Sequence, residues 1–311
     1  MTRKFEHVAV LLGGLSAERE VSLSSGKDCA DALEGVGYKV TCIDMDRDVA
    51  ARLKDVAPDV VFNSLHGPLG EDGTVQGLLE ILGIPYTHSG VLASALAMNK
   101  ELSKAAFNAA GIPVAEHKIV PRLVAAKEHV MEPPYVIKPI AEGSSVGVFI
   151  VREDHAHPPQ ELTSSDWALG DDVMVECFVP GRELTCAVMG DEALGVTEII
   201  PSEGLAFYNY EAKYAPGGSK HVLPAQISPN VYQLVRKLAL KAHKALGCRG
   251  VSRADFIFNE STARDDQVFC LEVNTQPGMT ATSLVPELAA HAGFEFGEFL
   301  RWIVEDASCN R

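Results

Sequence analysis

The sequence of 311 residues has no GxxxxGK[ST] segment and no GxGxxG segment. Neither a P-loop nor the standard dinucleotide fingerprint therefore supplies a phosphate cradle. No two of its seven cysteines form a CxxC pair. An odd number without paired spacing reads as reduced thiols rather than as a disulfide framework or a zinc site. No apolar run is long enough to span a bilayer. Arg3 and Lys4 do precede a short apolar run, Val8 to Leu12, but Gly13-Gly14 and the charged Glu18-Arg19-Glu20 follow where a signal peptide needs its small-residue cleavage site. That segment is read as a first buried strand and a loop, and the expected location is cytoplasmic, with no membrane partner. Basic residues are scarce: 27 Lys and Arg stand against 42 Asp and Glu, a formal charge of −15. Nucleic acid is bound through clustered Lys and Arg and is not an expected partner. A local basic pocket for a small phosphate compound stays open. There is no internal repeat and no low-complexity tract.

What is present is a globular composition, 47% hydrophobic and 22% charged, in a chain longer than one compact core usually takes. The first ninety-odd residues alternate apolar runs with helical patterns. Strands are predicted at His7 to Leu12, Lys39 to Asp44 and Asp59 to Ser64, and helices at Val21 to Leu33 and Val75 to Leu82. This βαβα rhythm implies a parallel sheet, whose ligand-binding edge would be the loops 13–20 and 65–73. From Asn99 a helix runs to about Ala110, and short strands follow at Val114 to Val120, Tyr135 to Lys138, Val146 to Val151 and Val173 to Cys177. The polar stretch His155 to Asp166 is read as a surface excursion. The middle of the chain thus reads as α+β with an antiparallel sheet. Further on, Ser228 and Pro229 start a long amphipathic helix that Gly247 ends. Before it, Gly204 to Gln226 has no sustained period, and a loop of that length with tyrosines points to function.

The most informative stretch is Gly250 to Gly278. Val251 to Phe258 and Gln267 to Val273 read as two strands joined by the polar turn Asn259 to Asp266. An antiparallel hairpin with that turn makes Asp255 and Glu272 opposite or diagonal neighbours. Arg253 shares a face with Asp255, and Asn274 with Glu272. Clustered carboxylates need a cation to offset them, and oxygen ligands without His or Cys select a hard ion such as Mg²⁺. The plainer alternative is a carboxylate pair on a solvated strand face. The polar turn Asn274 to Thr280 then leads into a helix near Leu284, placing backbone N–H groups and Ser283 beside these residues, an arrangement suited to an anion.

Three other segments bear on ligand binding. Lys138-Pro139, followed by Glu142-Gly143-Ser144-Ser145-Val146-Gly147, puts a lysine and a small-residue loop at a strand end, which suits phosphate oxygens. Glu176 to Glu183 reads either as a hinge offering a slot and edge carbonyls to a flat base or, equally well, as a linker. Glu18 and His66 lie on the predicted ligand edge of the first sheet. Glu18 would suit a substrate ammonium or, more plainly, the N-terminus of the following helix.

Taken together, GGLSAEREVS, LHGPLGEDG, KPIAEGSSVG, FYNYEAKY, SRADF, LEVNTQPGMT and SLVP stand in the order and spacing of the bacterial D-alanine–D-alanine ligases, and the chain resembles that ATP-grasp family from about Val8 to Val304. The resemblance implies a three-domain fold of class α/β plus α+β. Residues 1–97 would form an N-terminal Rossmann-like α/β domain, 98–178 a central ATP-grasp subdomain, and 179–311 a C-terminal domain carrying the metal site and a lid at 204–226. It implies ATP-dependent formation of D-alanyl-D-alanine for peptidoglycan synthesis, with ATP, two Mg²⁺ ions that Mn²⁺ would replace, a monovalent cation as a further candidate, and a homodimer. By resemblance, Lys100, Lys138 and the loop with Glu142, Ser144 and Ser145 contact the ATP phosphates. Glu176 and the Val179 backbone meet adenine, and Glu183 the ribose. Asp255, Glu272 and Asn274 are the implied metal ligands. Glu18 would anchor the first D-alanine with Ser144 and Tyr214, beside His66. Lys213 would reach the transferred phosphoryl group, and closure of the lid would deliver it with Tyr210 and Tyr214. Arg253 and Gly278 would stabilise the oxyanion, with Ser283 and Leu284 at the second carboxylate. The sequence departs from the common pattern at Asn99, at Gln276 and at Pro68-Leu69. Competing readings are a D-alanine–D-lactate ligase, which would depart from the Tyr-Glu-Ala-Lys-Tyr pattern kept here, another ATP-grasp carboxylate–amine ligase, which would lack GGLSAEREVS, and an idle nucleotide-binding protein, which would have lost a metal carboxylate or the lid lysine.

Overall fold

A computed structural model describes residues 3–202, 217–261, 268–280 and 283–311. Three sheets organise the chain. In the first, β1 (His7–Leu12), β2 (Lys39–Asp44) and β3 (Val60–Asn63) are parallel in the order β2-β1-β3. The fully buried Val8, Ala9, Val10 and Leu11 of β1 explain its central place. Helices α1 (Arg19–Gly35), α2 (Val49–Val56), α3 (Thr74–Leu82) and α4 (Val91–Met98) complete this region. The sequence reading missed α2 and α4. Only Val49 and Leu53 of α2 are buried, and α4 is apolar on its exposed side as well, at Leu92. Neither therefore shows a sustained period of 3.6.

Next comes α5 (Lys100–Ala109), with the Asn99 side chain accepting the Leu102 amide at 3.0 Å as its N-cap. The second sheet is antiparallel in the order β4-β7-β5-β6, from β4 (His117–Pro121), β5 (Tyr135–Pro139), β6 (Phe149–Val151) and β7 (Asp172–Cys177). A short helix, α6 (Arg122–Lys127), lies against it. β6 is shorter than expected because Ser144, Ser145 and Gly147 take left-handed conformations, which keep the preceding loop out of the sheet. The stretch read as a surface excursion is anchored: a turn of 3₁₀ helix at Gln160–Thr163 sends Leu162, fully buried, into the core of this sheet.

The third sheet is antiparallel in the order β10-β9-β8-β11-β12, from β8 (Arg182–Met189), β9 (Glu192–Pro201), β10 (Ser219–Val222), β11 (Val251–Phe258) and β12 (Val268–Asn274). Ser219 to Val222 were expected in an irregular loop. They pair with β9 instead, so this part of the segment is a strand. Three helices follow the sequence order α7 (Pro229–Leu246), α8 (Leu284–His291) and α9 (Phe296–Asp306). Ser228 caps α7 by accepting the Val231 amide, and the left-handed Gly247 ends it, as the sequence predicts.

Two exchanges tie the regions together. Phe299, Leu300, Ile303 and Val304 of α9 pack with Val8, Val10 and Leu33 of the first region. Phe107 of α5 and Ile112 pack with Leu184, Val196 and Val235 of the third sheet and α7. Among the described residues no helix is long and apolar enough to cross a membrane. All seven cysteines are free thiols.

His243, on the last turn of α7, binds Ser252 of β11 through Nδ1 at 2.7 Å. Burial, partly offset by Asp191, pushes its pKa down to about 4. The unfolded chain therefore takes up a proton near pH 6.5 that the folded chain refuses until about pH 4, so stability falls as the pH drops through that window. The wild-type unfolding free energy is expected to lose about 2 kcal/mol between pH 7 and pH 5 from this group. Urea titrations at both pH values will show at least that loss, because His88, whose burial pushes it down to about 3, adds its own, and His243→Gln will remove the His243 share.

Candidate active site

The chemistry-bearing residues sit where the three sheets meet. Asp255 lies directly opposite Glu272, and Arg253 opposite Asn274, in the β11–β12 ladder. A bulge follows between Asp255 and Phe256; such irregularities re-aim side chains beside functional sites. Arg253 grips Asp255 through two donors, Nε at 2.9 Å from Oδ1 and Nη2 at 2.7 Å from Oδ2. Thr185 of β8 donates its hydroxyl to Oδ1 at 2.6 Å. Asp255 is thus buried and held from two sides. Glu272 lies 3.8 Å from the Lys100 ammonium. The Asn274 side chain accepts the Gln276 amide at 2.8 Å, which bends the chain away from the strand. Among the described residues no group of three or more His, Cys, Asp or Glu side chains is placed to hold a metal ion by itself. The donor set is two carboxylates and an amide oxygen, which fits a hard ion that also takes ligand oxygens.

A cavity of about 510 Å³ opens over this ladder, bounded by Glu18, His66, Lys100, Ser144, Arg253 and Glu272. Gly278, Ser283 and Leu284 line its far side. Ser283 does not cap α8; its hydroxyl bonds back to Thr280, accepting the amide at 3.0 Å. His66 sits in the wall with Nδ1 3.1 Å from Glu71 Oε1. Burial raises the Glu71 carboxyl above its usual range, against the opposing pull of His66.

The roof is the loop Glu142 to Gly147. Ser144 and Ser145 stand in succession at φ 52° and 60°, the two central residues of a turn closed by the Val146 amide donating to the Gly143 carbonyl at 3.1 Å. Lys100 donates to the Glu142 carbonyl, fixing the loop's start. Ser144 Oγ donates to Glu18 Oε2 at 2.6 Å, joining the middle of the chain to the first sheet's ligand edge. Ser144→Ala is expected to raise KM for the amino-acid substrate about tenfold, the worth of one hydrogen bond to a charged group. Initial-rate kinetics at saturating nucleotide will check this.

A second, narrower cavity of about 170 Å³ adjoins the first and shares Lys100, Glu142 and Glu272 with it. Val136, Ile150 and Leu271 give it apolar walls, and Glu176, Val179 and Glu183 stand along its length. Such a slot fits a flat base, with carboxylates available for amino and hydroxyl donors. At its base the Lys138 ammonium meets Glu176 Oε1 at 2.6 Å, and Lys104 meets the other oxygen. Burial alone would raise the Glu176 carboxyl; the two ammonium groups more than reverse this and hold it at about 2.

Every described candidate site residue thus borders one of two adjoining cavities. Tyr210, Lys213 and Tyr214 lie outside the described residues. Lys104, Thr185 and Glu71 were missed. Lys104 had a legible signal, since it follows Lys100 by one helical turn on the same face of α5. Thr185 had none, because its role depends on which strand pairs with β11.

Residues 48–89 match the family described as D-ala D-ala ligase N-terminus, and residues 106–305 the one described as D-ala D-ala ligase C-terminus. The chain is 66% identical over 306 residues to the D-alanine–D-alanine ligase of Rhizobium meliloti (strain 1021), spanning 98% of this chain and 99% of that one. It is 63% identical over the same length to the D-alanine–D-alanine ligase of Agrobacterium fabrum (strain C58), with the same coverage. The solved D-alanine–D-alanine ligase of Bacillus anthracis superposes with a TM-score of 0.80 at 31% identity, over 97% of each chain. A structure of the Bacillus anthracis enzyme complexed with ATP gives 0.78 at 28%, again over 97% of each chain. A parallel sheet followed by two antiparallel ones, with a cleft between them, is here the three-domain ATP-grasp fold. Within that fold the chain belongs to the D-alanine–D-alanine ligase family.

Proposed function

We propose that this protein joins two D-alanine molecules into D-alanyl-D-alanine for peptidoglycan synthesis, converting ATP to ADP and phosphate through a D-alanyl phosphate. The observation that carries the reading is that the base-sized slot and the larger cavity share Lys100, Glu142 and Glu272. A nucleotide in the slot would present its terminal phosphate to a carboxylate in the cavity.

A carboxylate does not acylate an amine at neutral pH until one of its oxygens becomes a leaving group. The first D-alanine, its ammonium on Glu18 beside His66, attacks the terminal phosphorus of ATP through a carboxylate oxygen, and ADP departs. Lys100, Lys138 and the amides of Ser144 and Ser145 offset the phosphate charge, and Lys213 joins them on this reading. Catalysis of this kind is mostly positioning and electrostatics. Glu176 and the Val179 backbone hold the base, and Glu183 the ribose. Asp255, Glu272 and Asn274 would hold two Mg²⁺ ions, for which Mn²⁺ would substitute. When bound, these ions supply positive charge to the ATP phosphates. The second D-alanine, its carboxylate near Ser283 and Leu284, gives up an ammonium proton and attacks the acyl carbon. Arg253 and the Gly278 amide stabilise the oxyanion, and phosphate leaves with its electron pair. Tyr214 and Ser144 close over Glu18 and keep water from the acyl phosphate. We further propose chain units 1–97, 98–178 and 179–311, with α5 and α9 exchanged between cores, and a cytoplasmic homodimer.

The test is ADP release with Mg²⁺ and ATP, in the presence of D-alanine, of L-alanine, or of D-alanine with D-lactate, products being separated by mass. The expected result is D-alanine-dependent ADP release matched one to one by dipeptide. ADP release that ignores D-alanine, or a depsipeptide as main product, would overturn the proposal.

A further inference from the structure

Lys104 is fully buried and borders neither cavity. Its ammonium donates to Glu176 Oε2 and, at 3.2 Å, to the Ala115 carbonyl. The other Glu176 oxygen accepts from Lys138 at 2.6 Å. Glu176 and Lys138 both line the narrow slot. The trio therefore consists of one carboxylate and two ammonium groups, of which only Lys104 is walled off from a ligand. Its helix, α5, carries Lys100 one turn earlier, where the slot meets the larger cavity.

A buried carboxylate served by a single ammonium would have to keep it, because an unpaired buried charge is costly. With Lys138 as sole partner of Glu176, drawing Lys138 toward a phosphate would strand the carboxylate. With Lys104 in place the carboxylate stays paired, and the second ammonium is left over for the ligand.

We infer that Lys104 is a positioning residue for nucleotide recognition: it is the standing counter-ion of Glu176, keeping that carboxylate aimed at the base while Lys138 turns to the phosphates. The inference rests on the reading above, in which Glu176 accepts from the adenine amino group. An ion pair that only stabilised the core would lower the unfolding midpoint of a variant but would leave its choice of nucleotide alone.

The experiment compares wild type with Lys104→Met, and with Lys104→Gln, which keeps a donor in the same place without the charge and covers the case that the first variant does not fold. ATP and purine riboside triphosphate, which lacks the 6-amino group, are bound by equilibrium dialysis without D-alanine, and KM and kcat are then measured with saturating D-alanine. Loss of the charge is expected to weaken ATP by about tenfold or more, the range for a hydrogen bond to a charged group. KM for D-alanine should change less than about threefold, and the preference for ATP over the amino-less analogue should shrink by less than ATP affinity falls, because a Lys138 kept by Glu176 weakens both nucleotides. Folded variants of either kind with wild-type KM for ATP and an unchanged preference would overturn the inference. A wild-type protein that shows no preference for the 6-amino group would instead overturn the placement of Glu176 at the base, whatever the variants do.

Discussion

Glu272→Gln is expected to lower kcat by about a thousandfold while shifting the unfolding midpoint by no more than a few degrees. Glu272 is half-buried, sits on the last strand of its sheet and lies 3.8 Å from the Lys100 ammonium. At 3.8 Å the two groups are beyond hydrogen-bond distance, and an isosteric amide keeps the side chain's shape, so the substitution costs the fold little. The same carboxylate borders both cavities, at the point where the terminal phosphate of a nucleotide would lie. An amide oxygen there supplies a ligand atom without the charge, and a divalent ion accompanying the phosphates would be held far less well. Raising the Mg²⁺ concentration should therefore restore part of the lost rate in the variant and little in the wild type. Steady-state rates across an Mg²⁺ series, beside thermal melts of both proteins, decide the matter. Wild-type turnover in Glu272→Gln would refute the assignment of Glu272 to the metal.

This residue also shows what a sequence reveals and where it stops. Period-2 alternation and a polar turn place Asp255 and Glu272 in one hairpin, because strand pairing across a short turn is a local event. The observed ladder sets them directly opposite each other. The long helix at Pro229–Leu246 was equally legible, since its cap, its apolar face and its terminating glycine agree. The helices at Val49–Val56 and Val91–Met98 were not, as too few of their positions obey a single period. Contacts between distant segments were beyond local reasoning altogether. Nothing in the residues near Ser144 announces Glu18, 126 residues away in the chain, and only the family resemblance joined the two; nothing near α9 announces that it covers the first sheet's core. Lys104 falls between the two cases. Its spacing from Lys100 is visible, but its partner is fixed only by the β4–β7 and β5–β7 pairings that bring Glu176 beneath α5.

Arg253 offers the second large effect, one in which stability and catalysis separate. Its guanidinium makes a two-point contact with Asp255, which is itself buried and held on the other side by Thr185 alone among its described partners. Arg253→Met leaves that carboxylate inside the protein without its cation, a change that typically costs about 3–5 kcal/mol. The lost donor also faces the larger cavity, where charge develops on the attacked acyl oxygen, and one such donor is typically worth about 100- to 1000-fold in kcat. Arg253→Lys distinguishes the two losses. An ammonium restores the charge beside Asp255 and is expected to recover most of the stability, but it cannot hold the carboxylate at two points and reach the acyl oxygen at once. Urea denaturation should therefore rank the proteins wild type, Lys variant, Met variant with the largest gap before the last. The kcat values should instead leave both variants far below wild type. If kcat in the Lys variant returned to within a few-fold of wild type, Arg253 would be no more than the counter-ion of Asp255, and the oxyanion would have to be met by the Gly278 amide alone.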